Sequence, residues 1–93
     1  MPSAFAAMLD SEMHRRGMTK TTLAQQSGCG QPYVSLVIQG KRRPSLDRAR
    51  VWAQALHLDQ AAARRFLRLA ALTHVPDPDL RGDLEQMVAR DSL

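Results

Sequence analysis

Between residues 31 and 43 the chain sets Gln31, Tyr33, Ser35 and Gln39 ahead of three consecutive cations, Lys41, Arg42 and Arg43. A glutamine amide offers a donor and an acceptor side by side, as bidentate recognition of an adenine edge requires. The cations offer fixed positive charge to phosphate oxygens, and no acid interrupts their run. These residue types allow recognition of a duplex nucleic acid, bases by the amide and backbone by the cations, and equally an ordinary solvated polar face and loop. Other chemistries find little material. His14, His57 and His74 are scattered and share no metal-ligand spacing with the one cysteine, Cys29, or with a carboxylate. The glycines make neither a phosphate-binding loop nor a dinucleotide fingerprint, and no nucleophile elbow is present. The reading is therefore of a non-enzyme that carries no cofactor and no metal.

Such a row of side chains must be held outward by a second helix. Residues 19–40, TKTTLAQQSGCGQPYVSLVIQG, read as two short helices bent around a small-residue turn. Leu23 and Ala24 belong to the first helix, and Ala24 is small enough for the second to cross closely. Gly28 takes the positive φ that ends the first helix. Val34 and Val37, three apart, are the buried stripe of the second. Its opposite face carries Gln31, Pro32, Ser35, Leu36 and Gln39, the face expected to look into a major groove. Pro32 is tolerated because the first helical turn has no use for its N–H, and Gln31, biased away from helical angles by that proline, is a candidate cap.

This spacing resembles the helix-turn-helix of phage repressors and Cro proteins, the Cro/CI-type (XRE) family of bacterial and phage regulators. Leu23-Ala24, Gly28, Gly30-Gln31, Val34, and Gly40-Lys41 followed by Pro44 carry the resemblance, which covers roughly residues 5–58. Three positions depart from the pattern. Ser27 stands where an apolar residue is usual, Thr22 replaces the capping-box acid, and Ile38 replaces a frequent acid. The resemblance implies an all-α, lambda repressor-like DNA-binding domain of five helices, here with a short C-terminal helix added. It puts Thr19 and Lys20 where phosphates are contacted, Gln31 where a base is read, and Gln39 at a further phosphate. It also implies double-stranded DNA as partner and a dimer on a two-fold related operator.

On the base-facing side, Pro32 and Leu36 are apolar and can only touch thymine methyl groups or shape the fit. Tyr33 has two readings: its hydroxyl on a phosphate or base edge, or its ring packed on the first turn. Ser35 is a minor contact, so specificity is expected to draw on DNA shape as well. Lys41, Arg42 and Arg43 then flank the groove along the sugar-phosphate backbone. Thr19 caps its helix and needs no ligand to do so, although a helix N-terminus is also a seat for phosphate.

The remaining helices follow from caps and periodicity. Ser3 caps a first helix to about Arg16, with Phe5, Met8, Leu9 and Met13 on one face and Gly17 as the stop. Ser45 caps a fourth, whose apolar face is Leu46, Ala49, Trp52, Ala53 and Leu56. Asp59 caps a fifth with Phe66, Leu69, Ala70 and Thr73 together and Leu67 and Ala71 elsewhere. HVPDPD breaks the pattern, and Asp77-Pro78 opens a sixth helix with Leu80, Leu84, Met87 and Val88 as its stripe. That stripe is too short to be stable alone. It docks either on its own body or on a second copy. The second is favoured, with Phe66, Leu67, Leu80, Leu84, Met87 and Val88 as dimer or partner contacts.

At 93 residues, 44% of them apolar, the chain encloses one core. Within that limit, residues 1–75 are read as the DNA-binding part and 76–93 as a C-terminal helical extension. Charge divides at the same place. Residues 1–75 hold eleven Lys and Arg against four acids, giving +7; residues 76–93 hold two against five, giving −3. A basic body with an acidic tail fits a body that meets phosphate and a tail that does something else. One cysteine gives no internal disulfide, no stretch spans a membrane, and no basic-then-apolar leader opens the chain, so a soluble cytoplasmic protein is expected. The expected role is a dimeric repressor; an antitoxin with a small protein partner is the alternative.

Overall fold

Each helix but one begins where a short oxygen-bearing side chain takes an amide that the helix itself cannot satisfy. In this computed structural model, which describes residues 3–91, Ser3 accepts from the Ala6 amide and opens α1 (Ala4–Arg15). Thr19 accepts from Thr22 and opens α2 (Lys20–Ser27). The Thr19 and Thr22 hydroxyls lie 2.9 Å apart, a hydroxyl pair where a capping box would place an acid. Ser45 accepts from Arg48 ahead of α4 (Leu46–Ala55), and Asp59 from Ala62 ahead of α5 (Gln60–Leu72). Asp77 takes the amides of both Asp79 and Leu80 at the start of α6 (Pro78–Asp91).

The exception is α3 (Gln31–Ile38), whose cap is Gly30 with no side-chain bond. Gln31 is thus the first helical residue and not the cap. Pro32 still lies in the first turn, where its missing N–H has no intrahelical use, so the helix starts one residue earlier than the pre-proline bias implies. At the other ends, Gly17 (φ 61°), Gly40 (φ 76°) and His57 (φ 53°) all turn left-handed. Each lets the next amide reach back to the helix: Met18 to Met13, Lys41 to Leu36, Leu58 to Ala53.

One core gathers the inward faces. Phe5, Leu9 and Met13 meet Leu23, Ala24, Val34 and Val37 from the short pair, Ala49, Trp52 and Leu56 from α4, and Phe66, Leu69 and Ala70 from α5. Its spine is aromatic and uses every aromatic residue of the chain. Tyr33 lies on Trp52 (ring centroids 5.7 Å), Trp52 on Phe5 (6.4 Å) and Phe5 on Phe66 (4.6 Å). Met8 and Leu58 pack against this core half-buried. Leu46, expected inside, is 40% exposed because it heads α4, ahead of the first turn that touches the core.

Helix α6 docks on its own body, against α5, and buries Val88 there. The Ala4 amide donates to the Glu85 carboxylate at 3.2 Å, tying α6 back to the start of α1. Two expected partner contacts are corrected by this packing. Phe66 is 0% exposed and pressed on Phe5, and Val88 is in the core, so neither is offered to an outside chain. Leu67 and Leu84 are half-buried, while Leu80 and Met87 stand exposed. Among the described residues there is no strand. Residues 1–2 and 92–93, the outer ends of the two expected segments, lie outside the described residues.

Candidate nucleic-acid interface

The corner that aims α3 begins at Gly28, in the left-handed region at φ 71°. A Cβ there would meet nothing within 4 Å, so the position demands the backbone angle and not the space. From Gly28 the chain turns, the Cys29 amide bonding back to Ala24 at 3.0 Å, and enters α3 at Gly30. Val34 and Val37, 0% and 1% exposed, pin α3 to the core by the stripe that the spacing predicts. That pinning forces the opposite side out. Gln31, Pro32, Leu36 and Gln39 are exposed and Ser35 is half-buried. The Gln31 amide donates to the Ser35 hydroxyl at 3.3 Å, joining two of the expected base readers on one face.

Ser27 is the departure with a structural meaning. Buried, it donates to the Leu23 carbonyl at 2.6 Å and accepts from the Trp52 indole at 3.0 Å. An apolar residue here would leave that indole N–H without a partner. The Arg48 guanidinium donates to the Ser27 carbonyl at the end of α2, so α4 holds the turn at two points. Neither tie is visible from spacing. The signal that could have found them is the pairing of a buried tryptophan, which needs an acceptor, with a polar residue at an apolar position.

The Tyr33 ring packs on Trp52 of α4 and not on its own first turn. The Arg42 guanidinium lies over the same ring, 5.2 Å from its centroid. Arg42 is therefore braced, through Tyr33, on the core. Lys41, Arg42 and Arg43 are all exposed, directly behind α3. The loop is held from below by Pro44, which is buried and whose carbonyl accepts from His74 Nε2 at 2.8 Å. Thr19 and Lys20 stand at the start of α2, the hydroxyl of Thr19 already engaged as a cap. Among the described residues, none of Lys20, Lys41, Arg42 and Arg43 is ion-paired. Ile38, the third departure, is half-buried against the core.

A family model described as a helix-turn-helix domain matches residues 4–66, from the start of α1 into α5. The chain belongs to the helix-turn-helix domain family. No curated protein and no solved structure gives a significant match. As a helix-turn-helix protein it presents α2, the Gly28 turn and α3 in an all-α, lambda repressor-like arrangement, the architecture of DNA-binding regulators. The match ends within α5 and does not reach α6. No helix among the described residues is long and apolar enough to cross a membrane.

Proposed function

We propose that this helix-turn-helix protein is a sequence-specific regulator of transcription, a repressor that binds an inverted-repeat operator as a dimer. One observation carries the reading. The outer face of α3 is open from Gln31 to Gln39, and directly behind it lies a basic loop without an ion pair among the described residues. In this reading Gln31 is the main base reader, Pro32, Ser35 and Leu36 complete the groove-facing surface, and Tyr33 supports it from the side. Lys41, Arg42, Arg43, Gln39 and the Thr19-Lys20 corner follow the phosphates. Two recognition helices must then enter successive major grooves about 34 Å apart.

Residues 76–93 serve this reading as the assembly segment. A largely apolar groove of about 320 Å³ runs between α5 and α6, lined by Ala71, Leu72, Leu84 and Met87 among others. Met87 in its wall and Leu80 on the same helix are both exposed. The same groove supports the second reading, an antitoxin whose tail holds a small toxin while its body represses their shared promoter. Footprinting of DNA flanking the gene tests the first reading, with a protected inverted repeat as the expected result. Full binding by a Gln31→Ala, Arg42→Ala double variant would overturn the assigned surface. Co-purification of a stoichiometric small protein would favour the antitoxin.

A further inference from the structure

Arg81, on the first turns of α6, stands across one cleft from the basic loop. Its walls are Gly40, Arg42 and Arg43 on one side and Thr73, Pro78, Arg81, Glu85 and Ser3 on the other, around about 490 Å³. Three arginines from two distant parts of the chain, the adjacent pair Arg42-Arg43 and Arg81, thus line a single cavity. Among the described residues no carboxylate pairs with any of them. The one acid in the wall, Glu85, accepts from the Ala4 amide. Arg81 makes a long bond, 3.4 Å, to the Val75 carbonyl, and Arg42 rests on Tyr33. Three guanidinium charges against the single Glu85 carboxylate leave the cleft net positive, and a bound anion relieves the remaining repulsion. The walls are braced as well: His74 holds Pro44 beneath the loop, Asp77 caps α6, and Glu85 fixes α6 to α1.

We propose that this cleft is a phosphate-binding site in which Arg81 joins Arg42 and Arg43. The cleft opens beside the end of the recognition helix, so the phosphate is either one of the DNA backbone or that of a small phosphorylated molecule. Planar guanidinium forks suit phosphate oxygens in either case. Arg81 lies outside the segment that matches the family model, so the family itself does not assign it. The DNA branch rests on the function proposed above; the small-molecule branch does not.

The test compares the full chain with Arg81→Gln, Arg81→Lys and, as an exposed control outside the cleft, Arg64→Gln. Far-UV dichroism first establishes that each variant keeps its helices. Binding to a labelled 24-bp duplex is measured across a salt series, and side-chain Arg resonances are followed by NMR during titration with inorganic phosphate. A DNA phosphate predicts that Arg81→Gln lowers the log–log salt slope by about 0.9, that Arg81→Lys restores it, and that Arg64→Gln leaves it unchanged. A small phosphorylated ligand predicts an unchanged slope, with saturable phosphate-induced shifts of Arg81, Arg42 and Arg43 that Arg81→Gln abolishes. If the chain binds no DNA, those same shifts still support the cleft while the regulator reading fails. An unchanged slope together with no saturable shift overturns the proposal.

Discussion

The Trp52 indole donates to the Ser27 hydroxyl across 3.0 Å, joining the middle of α4 to the last residue of α2. Trp52 is also the hub of the aromatic spine, so the corner that orients α3 is fastened to the centre of the core. Ser27→Ala leaves a buried indole N–H unpaired and should cost about 1–3 kcal/mol. Trp52→Phe in that background removes the orphaned donor, so the double variant should lose less than the sum of the two singles. Urea denaturation followed by circular dichroism measures the cycle, and strict additivity would show that the bond contributes nothing.

Gln31 and Arg42 should fail in different ways. Gln31→Ala is expected to relax preference at one operator position by about 1–3 kcal/mol while leaving the salt dependence alone. Arg42→Ala should weaken binding to all sequences alike and lower the log–log salt slope by about 0.9. Competition with single-base operator variants, repeated across a salt series, separates the two. A base preference that moves with Arg42 would reverse these roles.

Two exchanges involving glycine should both stabilise the fold, in opposite chemical directions. His57 sits left-handed at φ 53°, where Gly17 and Gly40 end their helices, so His57→Gly removes a strain of about 1 kcal/mol. Gly82 lies inside α6, and a Cβ there would meet nothing within 4 Å, so Gly82→Ala should add about 0.5–1 kcal/mol. Shifts in urea midpoint at constant m-value test both. A drop for Gly82→Ala would mean that α6 does not stay helical through this position.

Met87 and Leu80 are exposed on α6, while Val88 on the same helix is buried. Leu80→Glu with Met87→Glu should leave the melting transition nearly unchanged and lower the mass seen by light scattering from that of the proposed dimer to that of one chain. Val88→Ala should instead lower stability itself, by roughly 1–2 kcal/mol. An unchanged mass in the glutamate variant would remove the α5–α6 surface from the dimer.

The local signals in the sequence survive folding almost untouched. Ser3, Thr19, Ser45, Asp59 and Asp77 all cap the helices they were read to cap, because a cap is a contact between residues two or three apart. The Val34–Val37 stripe and the Gly28 turn were equally legible, since helical period and left-handed φ are properties of neighbouring residues. Local pattern erred where it had to choose among partners. Gly30, and not Gln31, caps α3; Tyr33 lies on Trp52; Phe66 is core and not interface.

By itself, then, the order of residues determined six helices and the caps of five, which face of each is apolar, and where the cations stand along the chain. What touches what across 20 or more residues was decided only in three dimensions. Ser27 against Trp52, His74 against Pro44, Glu85 against Ala4 and Arg81 across from Arg42 are such encounters. Hydrophobic periodicity says that a face must be covered without naming the cover. Burial is non-directional, so only the packing of all six helices at once selects which polar groups meet at its edges.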